Sequence, residues 1–309
     1  MTHDYKINHV DAKSIVTHSK IGCQANPYVG CLHACRYCYA QYMSRWTQHE
    51  KDVWGEFIDV KTWPELTDKQ KQKLAGKSIF LSSVTDPYGP QEVEFKRTRL
   101  LLEQLKDADA SIHIVTKSDL VVRDIDLLMD LDVEVSLSIE SLNESFALQL
   151  SNAPSPAKRV DALKTLHEAG VKTSLFVAPV FPEISDITSV IDACKEHVDA
   201  VYCEALNLRT KKNRAKILTW IASNFPELMK LYLDVYSDPK MSDEHTYWDK
   251  LKSDLVDYAN ENDLMITAYE SLIKKGCSPV IDIGFTHTGY KSAASIRADD
   301  ADASRKGLQ

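Results

Sequence analysis

From residue 78 onward, short apolar runs alternate with amphipathic stretches. The runs 78–84, 112–116, 133–139, 173–180 and 200–206 are five to eight residues long. Turn-forming residues bound them, so they predict buried strands. In the third run Val133, Val135, Leu137 and Ile139 alternate with Glu134, Ser136 and Ser138, so the polar set shares one face and Glu140 continues it. The stretches 97–105, 124–130, 156–169, 187–196 and 214–235 predict helices. Pro156 sits in the first turn of one, and Gly170 stops it.

The same reading gives a first strand at Ser14-Ile15-Val16-Thr17, leading toward a cysteine-rich loop. A helix over 39–51 follows, with Tyr42, Met43 and Trp46 on a core-facing stripe, then an extended segment over 54–61 and a helix over 64–77 ending at Gly76. Near the end, 237–276 reads as mainly helical, with Trp248, Leu251, Leu255 and Tyr258 on one face, and 280–285 as a closing strand.

Six strand–helix units across 14–235 define an α/β protein with a parallel sheet and helices outside. A closed eight-unit barrel takes about 250 residues. This span therefore predicts an open, partial (β/α)6 TIM-type barrel with ligands at the carboxyl ends of its strands. The expected division is an N-terminal arm over 1–13, the barrel over 14–235, a mainly helical extension over 236–292 and a flexible tail over 293–309.

Composition agrees with a soluble globular protein: 309 residues, 44% hydrophobic and 27% charged. No apolar run is long enough to span a membrane, and residues 1–11 lack the apolar core of a signal peptide. The formal net charge of −8 disfavours nucleic acid as a partner without excluding a local basic groove. The densest basic run is Arg209, Lys211, Lys212, Arg214 and Lys216, whose plain reading is a solvated loop and first helical turn.

Seven cysteines do not make a disulfide scaffold in a chain this long, and the clustered trio points to a metal site in a reducing, cytoplasmic compartment. Cys31, Cys35 and Cys38 have the spacing C-x3-C-x2-C, with Tyr37 and Tyr39 flanking the last. Thiolates select zinc, copper(I) or iron–sulfur clusters. A closed zinc site needs a fourth ligand, which His33 is poorly spaced to supply. Cys23, Cys194 and Cys203 read as buried apolar residues.

This motif resembles that of the radical S-adenosylmethionine (SAM) superfamily, and the phrase from Asn26 to Ala40 is similar to its spore-photolyase-like branch. The resemblance implies a partial (β/α)6 barrel, a [4Fe–4S] cluster on Cys31, Cys35 and Cys38, and SAM chelating the open iron. Reductive cleavage of SAM would give methionine and a 5′-deoxyadenosyl radical, which abstracts hydrogen from a substrate. A flavodoxin or ferredoxin-type donor would supply the electron. The substrate stays open: a nucleic-acid lesion such as a thymine dimer is one alternative, and a non-catalytic zinc-binding module is a second.

Further site residues follow. The loop Ser82 to Glu92, containing Thr85 and Asp86, resembles the branch's counterpart of the methionine-binding strand, although Gly89 stands where the branch more often has glutamine. Lys117, at a strand's carboxyl end, suits the SAM carboxylate. Ser138 and Glu140 suit its ribose or methionine moiety. Arg159 is retained, while Leu150 to Pro154 lacks the acidic residue of the branch pattern. Pro179 and Val180 resemble an adenine-contacting edge. Glu204 faces the substrate side, and Cys277 is a candidate hydrogen donor.

Overall fold

The structure is a computed structural model that describes residues 5–19, 22–238, 245–262, 264–266 and 280–282. Its strands in chain order are β1 (Lys6–Asp11), β2 (Val16–Ser19), β3 (Gly22–Ala25), β4 (Tyr28–Val29), β5 (Phe57–Thr62), β6 (Ser78–Leu81), β7 (Ser111–Thr116), β8 (Val133–Ser138), β9 (Lys172–Val180), β10 (Ala200–Ala205), β11 (Met265–Ile266) and β12 (Val280–Asp282). Helices α1 (Asp68–Gln72), α2 (Glu92–Phe95), α3 (Arg97–Leu105), α4 (Ile125–Leu128), α5 (Glu144–Leu150), α6 (Pro156–Glu168), α7 (Ile187–Cys194), α8 (Lys211–Asn224), α9 (Met229–Val235) and α10 (Thr246–Glu261) connect or follow them.

The main sheet runs β11-β12-β10-β9-β8-β7-β6-β3-β2. Strands β3, β6, β7, β8, β9 and β10 are consecutive parallel neighbours, the six units of a partial (β/α)6 barrel. The parallel sheet continues past them through β12 and β11.

Alternation along the strands separates two faces. Ile112, Ile114, Val135, Leu137, Leu175 and Val177 pack with Leu101, Leu102 and Leu105 of α3 and Leu163 and Leu166 of α6 in one apolar core. Each fully buried leucine of that layer contributes roughly 1.5–3 kcal/mol. The opposite face, inside the barrel, is polar. His113 Nε2 lies 2.8 Å from Ser136 Oγ, which lies 2.5 Å from Ser174 Oγ; Ser174 donates to Glu134 Oε1 at 2.9 Å. Lys172 pairs with Glu134 at 3.0 Å. Buried polar groups persist only where they find such partners.

Several expectations change. Residues 6–11 are no loose arm: β1 pairs in parallel with β5, and β4 pairs antiparallel with β5, making a separate three-stranded sheet. The polar sequence of β1 hid it, since nearly all its residues are exposed and its stability comes from the backbone ladder. The first barrel strand is β3, not 14–17; β2 is an antiparallel edge strand beside it. The helix over 39–51 is a 3-10 helix over Tyr39–Trp46. Its aromatic stripe is not core, since Trp46 is 79% and Tyr42 41% exposed. Within 64–77 only α1 is α-helical, closed by a Thr67 capping box.

A candidate active site at the carboxyl ends of the strands

The loop carrying Cys31, Cys35 and Cys38 follows β4 and is clamped from several sides. Gly30 has φ +90, and a Cβ there would meet the Phe57 carbonyl oxygen at 2.5 Å, so glycine is required on both counts. The Arg36 N–H donates to the Leu150 carbonyl at 2.7 Å, and the Asn152 N–H donates to the His33 carbonyl at 2.8 Å. Asn213, buried on α8, donates Nδ2 to the Tyr37 carbonyl at 2.9 Å. The loop is therefore fixed to the end of α5 by backbone groups and to the start of α8 by the Asn213 side chain, independently of any ligand.

Asp86 ties this loop to the barrel. Its Oδ1 accepts from the Thr116 hydroxyl at 2.7 Å and the Tyr88 N–H at 2.9 Å. Its Oδ2 accepts from the Lys117 N–H at 2.8 Å and lies 3.2 Å from His33 Nε2. Burial pushes the Asp86 carboxyl up, but the His33 ring and the hydrogen-bond donors outweigh it and hold it below the usual carboxylate range. With four protein partners, Asp86 fastens the loop. Thr85 does likewise, donating its hydroxyl to the Gly30 carbonyl.

Lys117, Ser138, Glu140 and Arg159 come together as one buried cluster. Lys117 Nζ donates to Glu140 Oε2 at 2.8 Å, Ser138 Oγ at 2.9 Å and the Ala178 carbonyl at 3.3 Å. It also sits 5.7 Å from the centre of the Tyr37 ring. Arg159, fully buried, donates Nη1 to Glu140 Oε2 at 2.7 Å and to the Ser138 carbonyl at 2.8 Å, and Nε to the Pro154 carbonyl at 2.9 Å. Burial pushes the Glu140 carboxyl up, yet Lys117 and Arg159 bring it down to about 2. Glu140 Oε1 and Arg159 Nη2 are buried and have no hydrogen-bond partner, while the buried Tyr37 hydroxyl has no conventional partner and approaches the Cys35 sulfur.

The three thiols neighbour this cluster. Burial, the Asp86 charge and the other two thiols raise Cys31 well above the ordinary thiol range. Burial raises Cys35 although Lys117 opposes it, and burial with the Cys35 charge pushes Cys38 up to about 12. One buried and two half-buried thiols, with the Cys35 charge raising both of the others, are a donor set for a soft metal, which deprotonates coordinating thiols outright. Among the described residues no three His, Cys, Asp or Glu side chains are arranged to hold a single metal ion.

The remaining expected residues lie around this centre. The Pro179 and Val180 side chains are buried at the end of β9, and the Val180 carbonyl accepts the Leu206 N–H at 3.2 Å. Desolvation around the hydroxyl and then the Glu204 charge on β10 raise the phenol of Tyr39, a side chain 46% exposed overall, whose hydroxyl donates to the Ser83 carbonyl. Cys277 lies outside the described residues. Cys23, Cys194 and Cys203 are buried.

Sequence reasoning missed the His33–Asp86 pair, Asn213 and Trp54. Trp54 Nε1 is buried without a conventional partner and approaches the Cys38 sulfur, lowering that thiol's pKa slightly against the dominant effect of burial. No local pattern announces these residues, because each acts across the fold; an asparagine between Lys212 and Arg214 in the basic run was the one cue for Asn213.

A parallel partial barrel with a three-cysteine loop at its carboxyl rim defines a class. The family model of the radical SAM superfamily matches residues 25–192, and the chain belongs to that superfamily. It is 38% identical over 204 residues to an uncharacterized protein of Methanocaldococcus jannaschii, covering 65% of this chain and 76% of that protein. It is 33% identical over 188 residues to an uncharacterized protein of Acidianus two-tailed virus, covering 57% and 62%. Among solved structures, a spore photoproduct lyase variant with bound AdoMet and dinucleoside spore photoproduct superposes with a TM-score of 0.51 at 16% identity, covering 72% of this chain and 77% of that one. A second variant gives 0.52 at 18%, covering 71% and 66%. These likenesses carry the fold.

Proposed function

We propose that this chain is a radical SAM enzyme in which Cys31, Cys35 and Cys38 hold a [4Fe–4S] cluster and SAM binds beside it. The observation that carries the reading is the junction of three thiols on one clamped loop with a buried Lys117–Glu140–Arg159 cluster that leaves Glu140 Oε1 and Arg159 Nη2 unpartnered. When bound, the pair supplies reductive cleavage of SAM to methionine and a 5′-deoxyadenosyl radical, which abstracts hydrogen from the substrate.

The chain's own residues bind and orient. The open oxygen of Glu140 accepts from an ammonium or ribose hydroxyl, and Arg159 Nη2 donates to an anionic oxygen. Lys117 places a positive charge over Tyr37 beside Cys35. Asp86 and Thr85, with their side chains already engaged, hold the loop. The end of β9 supplies backbone edges for the adenine, and Glu204 lines the substrate side. The electron donor is a flavodoxin or ferredoxin-type protein, and the reducing cytoplasm keeps the thiols available. Among the described residues, no helix is long and apolar enough to cross a membrane.

Anaerobic reconstitution with iron and sulfide tests the centre. Approximately four irons per chain and a reduced-state electron paramagnetic resonance (EPR) signal that changes on adding SAM are expected. One tightly bound zinc and no iron would instead support the zinc-module alternative.

A further inference from the structure

Three cations flank the outside of the cysteine loop, and among the described residues no acidic side chain forms an ion pair with them. Arg36 lies within the loop, its Nε held by the Gln149 carbonyl at 3.2 Å. Lys212 and Lys216, both exposed, stand one turn apart on α8. Lys212, Lys216, Thr219 and Ser223 recur at i, i+4, i+7 and i+11, so they share one helix face. Between that face and Arg36 lies an open depression of ≈ 450 Å³, lined by Arg36, Ala215, Lys216, Thr219, Trp220 and Ser223.

This arrangement works against stability. Some cations elsewhere on the surface are paired, as Arg99 is with Asp126 at 2.7 Å, Lys106 with Asp130 at 2.6 Å and Lys195 with Asp192 at 2.8 Å. Here like charges face one another. Partial burial, Arg36 and Lys212 together hold the Lys216 ammonium below its ordinary pKa, while the Cys38 and Cys35 charges act on it in the opposite direction. Lys216 therefore lies within electrostatic reach of two of the three thiols, and Arg36 sits in the loop that carries them. Lys211 and Lys212 also occupy the first turn of α8, where the helix dipole disfavours positive charge. A cationic patch kept at this cost on a chain of net charge −8 is suited to an anionic partner.

We propose that the Arg36–Lys212–Lys216 face is the docking site for an acidic one-electron carrier protein, which reduces the centre held by the adjoining cysteines. The proposal rests on the radical SAM reading above. One electron leaves the carrier and the centre gains it; no covalent bond forms or breaks at the interface. A compact patch fits the small interfaces of transient redox complexes, below about 1,200 Å², with complementary charge setting the encounter rate. Nucleic-acid binding draws on a longer array, with 6–10 phosphate contacts in typical strong cases.

The test uses the reconstituted full chain and the Lys212→Glu, Lys216→Glu double variant, with stopped-flow reduction by an acidic flavodoxin hydroquinone or by a small photoreduced deazaflavin. The second-order rate with flavodoxin should fall at least roughly tenfold in the double variant and lose its salt dependence. The deazaflavin rate and the EPR signal should stay at parental values, and Lys216→Arg should keep the flavodoxin rate. Equal flavodoxin rates in parent and double variant would overturn the proposal. So would an equal loss with both reductants, which would mean that the charges tune the centre itself. Loss of salt-dependent oligonucleotide binding with flavodoxin reduction intact would reassign the patch to nucleic acid. A parent that assembles no cluster would instead overturn the radical SAM reading, and docking with it.

Discussion

Two buried carboxylates at the rim of the barrel, Asp86 and Glu140, show how similar chemistry serves different ends. Both lie below the ordinary carboxylate range despite burial, each held by cationic or polar donors. Asp86 has protein contacts on both oxygens, from His33, Thr116, Tyr88 and Lys117. Glu140 concentrates Lys117 and Arg159 on Oε2 and leaves Oε1 bare. A saturated carboxylate fixes structure; one with an open oxygen keeps binding capacity. Buried polar groups left unmet are costly, so their persistence beside the thiols marks where a polar ligand belongs.

The contrast is open to attack in order of expected effect. Glu140→Gln strands the buried Arg159 and Lys117 charges and should destabilise the fold by about 3–5 kcal/mol, measured by denaturant titration, while abolishing SAM binding in equilibrium dialysis. Asp86→Asn should cost less, about 1–3 kcal/mol, but loosen the cysteine loop. Its signature is faster iron loss to a chelator with SAM affinity per loaded centre little changed. If both variants lose SAM affinity equally, the division of roles is wrong.

Acid titration sharpens the comparison. Glu140 has a folded pKa below its unfolded value, so its stabilisation is complete above the unfolded pKa near 4.5 and is lost as pH falls toward about 2. Parent stability should fall steeply over that window. Glu140→Gln should show a shallower fall, with Asp86 and the buried Glu134, both also held below their ordinary range, contributing to what remains. The smallest effect is expected at Trp54. Removing its N–H in Trp54→Phe should lower the reduction potential of the loaded centre slightly, because hydrogen bonds to cluster sulfurs raise it. Potentiometric EPR measures the shift; an unchanged potential would show that the indole does not reach the Cys38 sulfur.

The parallel barrel was legible because its signals are local. Strands β6 to β10 are short apolar runs, and α6 carries proline at its start and Gly170, at φ +84, just past its end. The cysteine trio and the alternation of Ser136, Ser138 and Glu140 were equally plain. What escaped depends on distant partners. The exposed β1 is defined by its ladder to β5, 51 residues on. Strand β3 is short and contains Gln24, with Gly22 at φ +118. The pairing of His33 with Asp86 spans two loops, and Asn213 reaches the Tyr37 carbonyl across 176 residues. The expectation of a buried Trp46 failed because Tyr39, Tyr42 and Trp46 lie on the outer side of a 3-10 helix that buries only Ala40.

The central claim meets its most direct test in one assay. The anaerobically reconstituted chain is mixed with SAM and dithionite, and 5′-deoxyadenosine is measured by chromatography, with Cys35→Ala as control. Production by the parent and none by the variant is the predicted result. Equal product from both, or none from a parent carrying a full cluster that binds SAM and accepts an electron, would contradict the account.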